Sequence, residues 1–80
     1  MKVKVKLYAT LRQYAPTGTE IGEAFEVDLS ESKVSDLIDI FGFEHEQAKI
    51  VIVNDNRIDD LNHKLSEGDL VVIFPPIGGG

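Results

Sequence analysis

Leu70-Val71-Val72-Ile73-Phe74-Pro75-Pro76-Ile77-Gly78-Gly79-Gly80 closes the sequence, and its reading decides the fold. Five apolar residues in a row suit a strand in the middle of a sheet, covered on at least one side. Ser66-Glu67-Gly68-Asp69 before it reads as a turn. The strand then runs into two prolines, which hold the backbone extended with no internal hydrogen bonds. Three glycines follow, making a thread thin enough to enter a narrow channel. Fully extended, Pro75 to Gly80 would reach roughly 20 Å at about 3.3 Å per residue. A frayed terminus or an engineered linker is the bland alternative. Neither needs two prolines to fix an exit direction. The division expected is a folded unit over residues 1–74 and a flexible tail over 75–80.

Outward from that strand, Met1-Lys2-Val3-Lys4-Val5-Lys6-Leu7 alternates strictly between apolar residues and lysine. That is a strand with one face buried and a solvated lysine row on the other. Tyr8 to Ala15 reads as a short helical or turn segment with Leu11 and Tyr14 inward, broken by Pro16-Thr17-Gly18-Thr19. Phe25, Val27 and Leu29 alternate with Glu26 and Asp28, giving a second strand antiparallel to the first. Val34, Leu37, Ile38 and Phe41 fall at helical spacing, with Ser32 as the expected N-cap and Gly42 as the left-handed stop. Phe43 is expected to fold back onto Ile38, and Asp36 in the first turn complements the helix dipole. Ile50-Val51-Ile52-Val53 is a β-branched strand, and Asn54-Asp55-Asn56 a hairpin into a short strand around Arg57-Ile58. Leu61 and Leu65 are expected to tuck under the polar connection that follows. One helix covering one face of a mixed sheet buries both apolar surfaces economically. The expectation is an α+β roll with a projecting tail.

Composition narrows the chemistry. Eighty residues lie near the lower limit at which a hydrophobic core suffices without staples. There is no cysteine, which excludes disulfides, thiolate metal sites and cysteine nucleophiles. No run approaches transmembrane length and the N-terminus does not read as a signal peptide, so a cytoplasmic location is expected with no membrane partner. The net charge of −6 argues against a nucleic-acid partner. It is compatible with docking onto a basic surface, although solubility alone accounts for most acidic domains.

The terminus carries its own chemistry. A glycine carboxylate is ionised at neutral pH and is a poor electrophile until activated, for instance as an acyl-adenylate. Once activated it is the least hindered acyl group available, because no Cβ blocks the carbonyl. Two uses share that activation step: carrying a payload on Gly80, or forming an isopeptide bond to a lysine.

Three stretches resemble the β-grasp, ubiquitin-like sulfur carriers, and most closely the MoaD-like small subunits of molybdopterin synthase. Val5 to Tyr14 is similar to the family's first strand and its Ala-Thr-Leu-Arg turn, and Val34 to Phe41 to its helix. Leu65 to Gly80, with the Gly-Asp turn, the Phe-Pro-Pro exit and terminal Gly-Gly together, is the specific signal. Gly78 stands where relatives commonly have another small residue. The resemblance implies a β-grasp roll, with one main helix on one face of a mixed sheet and an extended C-terminal tail. It also implies a cycle. A ubiquitin-activating-like enzyme adenylates Gly80 at the expense of ATP, and a sulfur donor converts the carboxylate to a thiocarboxylate. The tail then enters the large synthase subunit and gives up sulfur to the pterin precursor of the molybdenum or tungsten cofactor. Gly80 would be the acyl carrier and Gly79 the clearance residue. Phe74, Pro75, Pro76, Ile77 and Gly78 would complete the partner-binding tail. No cofactor or metal would be held by the chain itself, and it would not be an enzyme alone.

Two rivals share the terminal Gly-Gly. One is a thiamine-pathway carrier, which would tend to lack the Tyr8-Ala9-Thr10-Leu11-Arg12 insertion and the Pro-Pro exit. The other is a protein modifier conjugated through Gly80. A third reading is a plain interaction module with an incidental tail. His45 and His63, in polar segments without a spaced ligand set, read as surface histidines. Asp59-Asp60 and Glu44-His45-Glu46 read as solvated loops.

Overall fold

A computed structural model describes residues 1–30 and 32–76. In chain order these give β1 (Lys2–Leu7), a 3-10 turn (Ala9–Tyr14), β2 (Phe25–Asp28), α1 (Val34–Phe41), a second 3-10 turn (His45–Gln47), β3 (Ile50–Val53), β4 (Asn56–Ile58) and β5 (Leu70–Phe74). The five strands form one mixed sheet in the order β2-β1-β5-β3-β4. The terminal strand takes the central place its apolar run implies. It pairs parallel with β1, Val5 against Val71, and antiparallel with β3, Val51 against Ile73.

Period-two alternation puts Val3, Val5 and Leu7 of β1, Val51 and Val53 of β3, and Val71 and Ile73 of β5 on one face of the sheet. All are buried, and Leu11, Leu29, Val34, Leu37, Ile38, Phe43, Ala48 and Leu65 complete the same core. Phe43 stacks on Phe41 at 5.8 Å between ring centroids and tilts against Tyr14 at 5.1 Å. Such aromatic pairs add about 0.5–1.5 kcal/mol beyond the area they bury.

The helix starts one residue later than the serine signal suggests. Lys33 occupies the N-cap position, and its N–H donates to the Asp36 carboxylate at 3.1 Å. A lysine side chain has no acceptor, so Ser32 was the better candidate by type. The connection to β5 overrides it. The N–H groups of Val34 and Ser35 donate to the carbonyls of His63 and Leu61 at 3.0 and 2.9 Å, while the Ser32 carbonyl accepts from Leu65. Tertiary pairing thus satisfies the first-turn donors that a capping side chain would otherwise serve. At the other end Gly42 is left-handed, φ 87°, as its position after Phe41 implies.

The β3–β4 hairpin turns on Asn54 and Asp55, both at positive φ (49° and 71°), as a two-residue type I′ loop requires. Asn54 also locks this hairpin to β5. Its side chain donates to Asp69 at 2.8 Å and accepts from the Leu70 N–H at 2.9 Å, while its own N–H donates to the Leu70 carbonyl. Glu44 to Lys49, ambiguous by pattern, contains the second 3-10 turn and buries Ala48.

Candidate functional site

The site is built from the face of the sheet that no helix among the described residues covers. Residues that alternate with the core positions lie here: Lys2, Lys4 and Lys6 of β1, Leu70, Val72 and Phe74 of β5, Ile50 and Ile52 of β3, Arg57 of β4, and Glu26 and Asp28 of β2. Strand register arranges them in rows. Lys2 stands opposite Asp28, and Lys4 between Glu26 and Leu70. Lys6 stands opposite Val72, which stands opposite Ile52, which stands opposite Arg57. Phe74 stands opposite Ile50 at the end from which the tail leaves. The middle of this face is therefore an apolar stripe on β5 and β3, half-buried and separate from the residues packed on the core.

Of the expected site residues, the structure describes Phe74, Pro75 and Pro76. Ile77, Gly78, Gly79 and Gly80 lie outside the described residues. Phe74 is half-buried on the open face, not in the core, and its ring stacks on Tyr8 at 4.7 Å with an interplanar angle of 13°. The Tyr8 N–H donates to the Ile73 carbonyl at 3.3 Å, holding the end of β1 against the end of β5. The chain then turns sharply at Ala9, φ 53°, into the 3-10 segment. A Cβ on Gly22 would lie 3.7 Å from the Tyr8 hydroxyl, so the loop after the 3-10 turn closes over the far edge of that ring. Pro75 is buried and Pro76 exposed, so the chain leaves the body between the two prolines. By pattern alone Tyr8 belongs to the turn, and its place on the face is not visible there. Continuing the β1 alternation by one residue places it on the lysine face beside Phe74.

The histidines resolve differently. His63 is half-buried, and its backbone carbonyl serves the helix start. His45, read as a surface histidine without a ligand set, is exposed and pairs with a single carboxylate, Asp39 on α1, with Nε2 to Oδ1 at 2.9 Å. The left-handed turn at Gly42 brings the second 3-10 turn back beside the helix and makes that pair. Both side chains are largely exposed, so the pair contributes little to stability. Among the described residues no group of three or more His, Cys, Asp or Glu is placed to hold a metal ion, and no helix is long and apolar enough to cross a membrane.

Among the described residues, a central parallel β1–β5 pair, a single covering α-helix and a Pro-Pro exit at the end of β5 are the arrangement expected of a ubiquitin-like carrier. The ThiS family model matches residues 5–80. The chain belongs to the ThiS family. No curated protein sequence matches this ThiS-family chain. Solved structures do. Subunit 1 of a molybdopterin-converting factor described as putative, from Pyrococcus furiosus, is 29% identical over 96% of this chain and 99% of its own, with a TM-score of 0.67. The small archaeal modifier protein 1 of Methanosarcina acetivorans is 27% identical over 99% and 96%, at 0.66. A complex of subunits 1 and 2 of the molybdopterin-converting factor from Helicobacter pylori contains a chain of the same fold, 24% identical over 100% of both chains, at 0.62. The fold is the β-grasp, and the family is that of MoaD-like, ubiquitin-like sulfur carriers.

Proposed function

We propose that this chain carries sulfur for molybdopterin synthesis on the carboxyl group of Gly80. Adenylation by a ubiquitin-activating-like enzyme consumes ATP: the Gly80 carboxylate attacks the α-phosphorus and pyrophosphate leaves. Hydrosulfide then attacks the glycyl carbonyl, AMP leaves and loss of a proton gives the thiocarboxylate; where the donor is a persulfide, attack gives an acyl disulfide, and a thiol cleaves its S–S bond, leaving with the donor as a disulfide. The large subunit of molybdopterin synthase receives the tail and holds the pterin precursor that the sulfur attacks. Phe74, Pro75, Pro76, Ile77, Gly78 and Gly79 guide and seat the thread. Delivery inside a partner's pocket raises effective concentration and excludes the water that would hydrolyse the acyl group.

One observation carries the reading. The strand that ends in the Phe74-Pro75-Pro76 exit is the central strand of the sheet and ends beside an apolar face that no helix among the described residues covers, with Pro75 buried. The strand that leads to the exit is paired on both sides, with β1 and β3, as a guide for a reactive end requires. Similarity to subunit 1 of a molybdopterin-converting factor supports the pathway assignment. Similarity to a small archaeal modifier protein supports a second reading, isopeptide conjugation of Gly80 to lysines of other proteins.

The test is intact mass after incubation with ATP, the activating enzyme and a sulfur source. A gain equal to replacing one oxygen by sulfur, lost on deletion of Gly79-Gly80 while the melting temperature is unchanged, is the expected result. An unshifted mass with active enzyme, together with high-mass covalent adducts in cell extracts, would transfer the assignment to the modifier reading.

A further inference from the structure

Charge is not spread evenly over the chain. The open sheet face carries Lys2, Lys4, Lys6 and Arg57. The stretch from Val34 to Ala48, which makes α1 and the second 3-10 turn, holds Asp36, Asp39, Glu44 and Glu46 and no lysine or arginine. The buried residues of α1 are Val34, Leu37 and Ile38, so at about 100° per residue Asp36, Asp39 and Ile40 lie on the side turned away from the core. Asp39 stands in the last turn, at the negative end of the helix dipole, and that turn holds no basic side chain to offset it. The chain reversal at Gly42 then brings Glu44, His45 and Glu46 up beside Asp39. Together with Phe43 these side chains line an open recess of about 280 Å³. Asp39 meets the His45 ring at 2.9 Å, while Glu44 and Glu46 enter none of the close ion pairs among the described residues. Ile40, next along the helix, is 54% exposed. A lone exposed isoleucine needs no explanation by itself, but here it sets an apolar contact beside a charged recess.

The recess is smaller and more polar than a metabolite site, which runs from roughly 300 to 1,000 Å³ and is mainly apolar. Its size suits a single long side chain. We infer that the outer side of α1 and this recess dock a basic protein segment, with one arginine seated in the recess and an apolar side chain against Ile40. Charge complementarity commits the occupant: the carboxylates of Asp39, Glu44 and Glu46 and the end of the helix dipole all favour a cation. Geometry selects the kind of cation. A guanidinium is flat, pairs with a carboxylate through two N–H bonds and lies against aromatic rings, which His45 and Phe43 supply. A lysine offers one strongly hydrated point charge and no such plane. A metal ion is not served, because among the described residues no three acidic or histidine side chains converge on one point. The surface belongs to the helix layer, so a segment bound here leaves the open sheet face and the tail accessible. The inference therefore stands apart from the carrier reading.

Amide NMR spectra of the nitrogen-labelled full-length chain, titrated with a blocked Gly-Leu-Arg-Leu-Gly peptide, test this. The control peptide carries citrulline in place of arginine, which keeps the shape and removes the charge. Saturable shifts should concentrate at Asp39, Ile40 and Gly42 to Glu46, and the citrulline peptide should bind about fivefold more weakly or worse. Glu46→Gln should weaken the arginine peptide by about two- to threefold, and Ile40→Ser by about twofold. Asp39→Asn should cost more than Glu46→Gln, since it removes the carboxylate that the helix end already disfavours. Salt at about 0.5 M should raise the midpoint for the arginine peptide and leave that for citrulline nearly unmoved. Should Asp39→Asn lose structure by circular dichroism, Glu46→Gln alone decides the matter. Shifts that never saturate, equal binding of the two peptides, or shifts as large around Asp55, Asp59 and Asp60 overturn the inference. None of these readouts involves Gly80, so the carrier reading is tested separately by the mass measurement.

Discussion

Val71 and Ile73 on one side of β5 are completely inaccessible to water, while Leu70, Val72 and Phe74 on the other side of the same strand remain half-exposed. Residue type does not distinguish the two sets, since both are aliphatic or aromatic. What differs is what lies over them: α1 and the first 3-10 turn on one side, and no helix among the described residues on the other. The buried side is committed to the stability of the fold. The open side keeps apolar surface in contact with water. On the proposed function that side is free to meet a partner, so substitutions on the two sides of the strand should fail in different ways.

Ile73→Ala should break the stability side most severely. The side chain is fully enclosed, and its loss removes both transfer energy and packing, about 3–5 kcal/mol in a chain this small. Chemical denaturation should show the midpoint falling by a large fraction of the total stability. A loss below about 1 kcal/mol would mean that the core collapses around the gap and that the two sides are less distinct than their burial suggests.

Phe74→Ala comes next and is divided between the two roles. The ring is half-buried and stacked on Tyr8, so about 1–2 kcal/mol of stability should go, less than the loss for a fully buried phenylalanine. Affinity for the large subunit should fall as well. Phe74→Leu should recover part of the stability without restoring the stack. If stability falls as far as in Ile73→Ala while binding is untouched, Phe74 belongs with the core side and the boundary between the two roles moves by one residue.

These contrasts also show what the sequence made legible. Strict alternation in Met1 to Leu7 determined which side of β1 is buried, and the apolar run Leu70–Phe74 determined that β5 is central. Gly42 and the Asn54-Asp55 pair located two chain reversals by the backbone conformations they permit. Other features depend on residues distant in sequence. Ser32 loses the N-cap to Lys33 because the 61–65 segment supplies the carbonyls, and nothing within the helix sequence announces that. Asp39 and His45 become partners only through the turn at Gly42. Phe74 was visible as a candidate from its place before the prolines, but its partner Tyr8 required the parallel register of β1 and β5. That Lys2 and Lys4 stand opposite carboxylates on β2 and Lys6 does not is likewise a property of strand pairing. A one-dimensional pattern shows three equivalent lysines.

Asn54→Ala probes the device that holds the open face in register. It removes a side-chain bond in each direction, to Asp69 and from the Leu70 N–H, and puts an alanine at φ 49°. The expected cost is about 1–2 kcal/mol. Asn54→Gly should relieve the backbone strain and leave only the lost hydrogen bonds, so the difference between the two variants isolates the conformational part. Amide exchange at Leu70 should quicken in both, since its N–H loses its acceptor.

Val72→Thr is the smallest expected change in stability and the sharpest probe of the two sides. The swap keeps the β-branched shape, so strand propensity is retained. A hydroxyl on the half-exposed face can meet water, so denaturation should move by less than about 0.5 kcal/mol. The same swap at Val71 puts an unpaired hydroxyl into the core and should cost about 1–3 kcal/mol. Binding to the large subunit should show the reverse order. Val72→Thr places the hydroxyl in the middle of the Lys6–Val72–Ile52–Arg57 row and should weaken association several-fold. Val71→Thr, once folded, should bind as wild type. If Val72→Thr leaves affinity unchanged, the half-exposed stripe is ordinary surface, and the partner reads the tail without touching the sheet.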